Sequence, residues 1–233
     1  MKQAQVCLEN GIKRIYASAD VIKDLHENSA ELIQIMPPID REGRNEFEVS
    51  QDKILINSLG QFDKDKECFS DYRLNVFNSH SVEALKDLSC VTLSPELTIS
   101  EIKTMKKPVN TELIVYGRIP LMTFENCPVK AHQKCDGGKS FNELVDRKNE
   151  KFVLMCSEGC FCELLNSKPI YMADKFSDIR DLGIKSFRLD FTVESEDECK
   201  KIIKEYKKAL EGEKVQPMKE NTFTRGHFYK KVD

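Results

Sequence analysis

Short apolar runs rich in β-branched residues recur along the chain, each separated from the next by an amphipathic stretch. This alternation restricts the chain to α/β folds built on parallel strands. The runs lie at 14–18 (RIYAS), 31–36 (ELIQIM), 53–57 (KILIN), 73–77 (RLNVF), 90–94 (CVTLS), 112–117 (ELIVYG) and 186–191 (SFRLDF). Near-continuous apolar character over so few residues suits strands buried on both faces. Helices are predicted over 3–9, 80–88, 100–105, 174–182 and 195–210. Asn78-Ser79 offers an N-cap to the second and Gly183 a stop after the fourth. The last is the clearest. Ser195 and Glu198 form a capping-box pattern, and Ile202, Ile203 and Tyr206 make an apolar stripe.

A closed (β/α)₈ barrel needs eight strands, and the sequence offers seven. It opens on a helix-like segment ended by Asn10-Gly11. The expectation is an α/β fold of the incomplete TIM-type (β/α) barrel kind, completed by a missing upstream segment or by a protein partner. A doubly wound open sheet is the competing architecture. The strand–helix rhythm breaks between 120 and 169, where five of the nine cysteines fall. After a barrel strand, such a cysteine-rich insertion lies near the C-terminal face, where sites are built. The organisation read from the sequence is therefore βα units over 1–119, the insertion over 120–169, final βα units over 170–211, and a tail over 212–233. Phe223, Phe228 and Tyr229 predict that this tail packs back on the barrel.

With 233 residues, 40% of them hydrophobic, the chain can bury a substantial core. No apolar run reaches the length of a membrane span, and the first residues lack a signal-peptide core. A cytoplasmic protein is expected. The net charge of −3 carries no bulk nucleic-acid footprint, and the lysines of the last helix read as a solvated face. Without a secretory route, nine cysteines do not read as a disulfide scaffold. Five of them follow the pattern Cys127-x7-Cys135-x20-Cys156-x3-Cys160-x1-Cys162. Thiolates gathered in one segment suit zinc or an iron–sulfur cluster. A zinc ribbon would show two C-x2-C knuckles, and only one half here is short. Cys127, Cys135 and Cys160 stand beside Pro, Lys, Asp, Gly and Glu rather than in apolar runs. By contrast, Cys7, Cys68, Cys90 and Cys199 read as ordinary thiols.

Residues 112–127 (ELIVYGRIPLMTFENC) resemble the signature of the collagenase-like "peptidase U thirty-two" family, with Glu112, Gly117, Ile119 and Cys127 at matching steps. Arg118, Pro120 and Glu125 depart from it, standing where the signature has a small residue, a cysteine and a glycine. The match is closest to the second half of the long members, where a GR-x-PLM sequence is usual. Residues 56–62 (INSLGQF), 74–79 (LNVFNS) and 91–102 (VTLSPELTISEI) are similar to consecutive strands of that half. Residues 144–154 (LVDRKNEKFVL), 164–172 (LLNSKPIYM), 187–192 (FRLDFT) and 224–229 (TRGHFY) are similar to its later motifs. The resemblance implies a (β/α) barrel. Some members are described as collagenase-like peptidases. Others bind a [4Fe–4S] cluster through four cysteines and support oxygen-independent hydroxylation of ubiquinone precursors or of RNA bases. On this chain Cys127 matches the signature cysteine. Cys135, Cys156 and Cys160 are the remaining ligands, with Cys162 as alternate, so that four of these five hold the cluster.

A peptidase needs an activated nucleophile or a metal-bound water. The sequence has no H-E-x-x-H and no G-x-S-x-G. Its histidines are His26, His80, His132 and His227, and cysteine–histidine catalysis is open to it, for instance with His132 near Cys127 or Cys135. The cysteines fit a redox hydroxylase better. Candidate mouth residues at predicted strand ends are Glu112, Arg118, Asn75, Asn78, Glu96, Arg225 and His227, although each has a packing role open to it. Glu112, Arg118, Arg225 and His227 are the catalytic candidates. The expected function is a [4Fe–4S]-dependent factor in hydroxylation, with an RNA base as substrate. Zinc is the alternative metal. A peptidase, or an inactive fragment or partner subunit, is the alternative function.

Overall fold

A computed structural model describes residues 2–25, 29–39, 48–124, 126–132, 134–157 and 161–232. In chain order the elements are α1 (Lys2–Glu9), β1 (Arg14–Ala17), α2 (Ala19–Lys23), β2 (Glu31–Ile35), β3 (Lys53–Ile56), β4 (Glu67–Ser70), α3 (Ser79–Ala84), β5 (Cys90–Thr92), α4 (Ile99–Thr104), β6 (Thr111–Gly117), β7 (Pro120–Phe124), α5 (Pro128–His132), β8 (Ser140–Val145), β9 (Lys151–Ser157), β10 (Phe161–Leu165), β11 (Ile170–Tyr171), α6 (Ser177–Arg180), β12 (Ser186–Asp190) and α7 (Glu196–Leu210). They form two compact units. The first is Met1–Val115 with Met172–Pro217 and Arg225–Asp233; the second is Tyr116–Tyr171 with Met218–Thr224.

In the first unit β1 to β6 pair in sequence order, all parallel, and β12 follows on the far side of β6. The sheet curls into a half-barrel. Its curvature brings the Tyr16 hydroxyl on β1 to 3.0 Å from Glu112 on β6. Arg14 on β1 donates to Ser186 on β12 at 3.4 Å. Residues two apart on a strand share a face, so the inward positions form storeys. At the strand starts Arg14, Glu31, Lys53 and Glu67 make a chain of ion pairs at 2.6, 2.5 and 2.9 Å. Two residues on, Tyr16, Ile33, Leu55 and Phe69 pack with Cys90 and Ile35 as an apolar storey. One further step up, at the strand ends, stands a polar group containing Asp71, Thr92 and Glu112.

The helices lie where their stripes require. Val6 of α1 packs on Cys199 and Ile203 of α7, with Ile12, Leu189 and Phe191 against them. The capping box at the start of α7 is present as read from the sequence, with the Ser195 and Glu198 side chains each bonded to the other's main-chain N–H. Tyr206 of α7 is buried and donates to the Val115 carbonyl at 2.5 Å.

One predicted strand is overturned. Residues 73–77 hold part of a 3-10 turn (Tyr72–Leu74), a left-handed Asn75 with φ of 50°, and a single bridge from Val76 to Leu93. The left-handed residue breaks the extended path. The strand of that βα unit is β4, one turn earlier, whose Cys68, Phe69 and Ser70 are buried. Two predicted helices are shorter than read, 80–88 and 174–182, which hold Ser79–Ala84 and Ser177–Arg180. After α3 the chain tightens into three-residue turns, with Lys86 bonded to Glu83 and Leu88 to Leu85.

The second unit is not a βα unit. Its core is a four-stranded sheet in the order β7-β10-β9-β8, antiparallel throughout. The short β11 pairs with Tyr116 and Gly117 at the end of β6. Thr224 closes against it, donating to the Pro169 carbonyl and accepting from the Tyr171 N–H.

Candidate metal centre

The β-register sets up the site. Phe124, Cys162, Cys156 and Ser140 are direct partners across β7, β10, β9 and β8, so they form one row on one face of the sheet. Directly opposed side chains of antiparallel strands are near neighbours. Cys156 and Cys162 accordingly bring their Sγ atoms to 2.6 Å. Cys127, just before α5, reaches the same row, its Sγ 3.6 Å from that of Cys162. The three sulfurs all lie within 4.8 Å of one another, and all three residues are buried. Cys135 packs against them half-buried, alongside Phe124 and Leu164. Val129 and Leu154 complete the buried cluster.

Main-chain donors point at two of the sulfurs. The Lys130 N–H donates to Cys127 Sγ at 3.4 Å, and the Gly137 N–H to Cys135 Sγ at 3.5 Å. Gly137 has a φ of 81°, which lets the loop fold back onto the sulfur. The Lys130 N–H is the main cause holding the Cys127 thiol below its ordinary range. Burial pushes Cys156 and Cys162 up. Thiolates crowded into an apolar pocket repel one another unless a cation is shared among them. A soft metal is the cation such donors select. The three converging thiols of Cys127, Cys156 and Cys162 could hold a metal ion, and Cys135 packs beside them. Cys162, the alternate to Cys160 in the sequence reading, is one of the three converging thiols. Cys160 lies outside the described residues.

Each of the four catalytic candidates has partners of its own. Glu112 is buried in the half-barrel, accepting from Tyr16 and from Thr92 at 3.1 Å, with Arg188 at 3.5 Å. Arg118 donates to the carbonyls of Asn166 and Ser167, closing the loop after β10. Arg225 grips Asp174 with both ends of its guanidinium, at 2.6 and 2.8 Å. His227 has its Nδ1 3.3 Å from the Lys230 carbonyl. Among the other mouth residues, Asn78 caps α3 by accepting from Ser81, and Glu96 is exposed. His80 and His132 are exposed, and His26 lies outside the described residues. Sequence reasoning missed Arg188 and Asp71, which pair at 2.5 Å while both are buried. Their signal was an inward-facing charge within otherwise apolar strand surroundings, visible only once the strand faces are assigned.

Among the described residues no helix is long and apolar enough to cross a membrane. No curated protein and no solved structure matches the chain. A match to a family model does extend over residues 1–231, taking in both the half-barrel and the thiol-bearing sheet, and by that match the chain belongs to peptidase family U32.

Proposed function

We propose that this chain is an iron–sulfur member of its family. In this reading Cys127, Cys135, Cys156 and Cys162 hold a [4Fe–4S] cluster that serves an oxygen-independent hydroxylation of an RNA base. The observation that carries the metal is the convergence of three buried sulfurs within 4.8 Å, with a fourth cysteine packed on them. The hydroxylation and the RNA base rest on the resemblance of residues 112–127 and the motifs around them. When bound, such a cluster supplies one-electron chemistry. The chain's own residues do the rest. The four thiols bind it, the Lys130 and Gly137 N–H groups hold sulfur charge in place, and Val129, Leu154 and Phe124 exclude water.

Zinc is favoured by one specific observation. A tetrahedral ion with Zn–S bonds of about 2.3 Å sets sulfurs about 3.8 Å apart. The Cys127–Cys162 separation of 3.6 Å is close to that edge, whereas the 2.6 Å between Cys156 and Cys162 is well short of it. A cubane holds its outer sulfurs wider than a single ion does. Iron, acid-labile sulfide and zinc content, with an absorption spectrum, on protein purified without oxygen separate the two. About four irons and four sulfides per chain, lost in Cys127→Ser, support the cluster. One zinc and no colour replace it with a zinc site. No metal at all overturns both and returns the family's peptidase activity as the reading to test.

A further inference from the structure

We infer that β8 is a dimerisation edge. It pairs antiparallel with β8 of a second copy of this chain, in the register that sets Phe141 against Phe141 and Lys139 against Glu143. The inference is independent of the metal and of the hydroxylation reading.

The sheet of the second unit ends on β7 at one side and on β8 at the other. Open edges are templates for further strands, and folds guard them with proline, irregular pairing or charge. β7 is guarded. It begins with Pro120, and its pairing with β10 shifts register between Leu164 and Leu165. β8 pairs regularly with β9 along its whole length, holds no proline and carries a single charge, Glu143. Among the described residues no strand covers its outer side. Phe141 and Val145 are 60% and 52% exposed.

The hairpin fixes which main-chain groups are open. The Asp146 N–H donates to the Glu150 carbonyl at 3.0 Å, and residues of an antiparallel pair alternate between bonding their partner strand and facing away from it. Leu144, Asn142 and Ser140 therefore bond β9, while Val145, Glu143 and Phe141 turn their N–H and C=O outward. Across a two-fold axis, donors meet acceptors only when outward residues oppose outward residues. Charge chooses among the registers that remain. Centring on Glu143 puts two carboxylates face to face. Centring on Asn142 or on Ser140 sets Phe141 against a charged residue. Centring beyond Glu143 runs into the turn that Asp146 and Glu150 close. Centring on Phe141 sets aromatic beside aromatic and lays each exposed Lys139 opposite an exposed Glu143. These side chains share a face with Met155 and Val153, and the cysteine row lies on the other face through Ser140. Pairing at this edge leaves the thiols untouched.

Sedimentation equilibrium on the full chain, with metal content measured on the same sample, tests the assignment. The wild type is expected to be a dimer in the micromolar range, and Phe141→Lys a monomer. Glu143→Lys and Lys139→Glu each turn attraction into repulsion at both ends of the pairing, and each is expected to raise the dissociation constant about tenfold. The double variant Lys139→Glu/Glu143→Lys is expected to recover the wild-type constant, which a general loss of folding would not allow. Metal content is expected to be equal in all of them, so loss of the dimer is separate from loss of the metal centre. A monomeric wild type overturns the inference and leaves the edge to a strand of a different protein. A dimer that survives Phe141→Lys overturns it in favour of another surface. Single swaps that the double variant does not rescue overturn the register.

Discussion

The two units use cysteine in opposite ways. In the half-barrel Cys90 and Cys199 are buried among apolar neighbours, with Cys7 packed beside the latter, and Cys68 is buried with its Sγ donating to the Asp63 carbonyl. In the four-stranded unit, three of the five residues in the buried cluster are cysteines. The first unit has a core with or without a metal. The second keeps a small core whose centre is sulfur, while Leu121, Met122, Phe141 and Val145 remain exposed on its strands. Small units of this kind need a staple beyond apolar burial. The same residue type is thus filler in one unit and framework in the other, and neighbours rather than identity decide which.

The largest effect that would break this contrast is expected at Cys162. Cys162→Ser should abolish metal binding and make residues 116–171 the first site of limited proteolysis, because structural metal sites supply on the order of 10 kcal/mol of apparent binding free energy to their units. Unchanged metal content would make the thiols mere core. Chelation of the wild type should copy the variant. On the half-barrel side, Arg188→Leu leaves Glu112 buried without its cation and Asp71 with Arg73 alone, at 3.6 Å. It is expected to cost about 3–5 kcal/mol in urea unfolding, with metal content unaltered. Ile33→Ala, in the apolar storey, should cost about 2–5 kcal/mol, again with full metal. Loss of metal in either variant would show that the units do not keep separate accounts of stability.

Much of the half-barrel was legible because its signals are local. Six of the seven predicted strands coincide with β1, β2, β3, β5, β6 and β12. Ser195 and Glu198 announced the start of α7. The failure at 73–77 is instructive. Leu74, Val76 and Phe77 look strand-like, but Asn75 takes the left-handed conformation, while the true strand ECFS hides behind polar ends. The second unit was legible in chemistry and not in fold. Its cysteines announced a thiol cluster, and three of them converge. Its strands did not show, since SFNELV, with four of six residues exposed, lacks the two-sided burial that marked the others. The grouping of Cys156 with Cys162 is a consequence of register, which spacing alone does not encode.

Smaller effects sharpen the contrast within the half-barrel. Ser195→Ala removes the α7 cap and is expected to cost about 1 kcal/mol, read as a lower Tm with unchanged metal. The pH response is smaller still. The folded Asp190 carboxyl is raised to about 6, so it holds a proton the unfolded chain releases. Its contribution favours the fold at low pH and is lost as pH rises through about 6, moderated by its partial exposure. Glu31 runs the other way. Burial alone would raise it, but Lys53 and Arg14 outweigh burial and lower it, so its contribution is lost as pH falls. Comparing the Tm of Asp190→Ala with wild type between pH 5 and pH 7 isolates the first. The wild type should lose more on going from pH 5 to pH 7 than the variant does, and parallel curves would remove Asp190 from the account.

The pairing of Cys156 with Cys162 across β9 and β10 has a consequence for handling the protein in air. Directly opposed strand positions have the Cα spacing that a disulfide accepts. With no metal bound, the row presents two thiols that oxygen can join, the two electrons and two protons passing to the oxidant. The joined pair has no ligand left to offer, and reloading fails until a reductant opens it. A preparation that is colourless and free of metal after aerobic handling is therefore to be reduced before its metal capacity is judged.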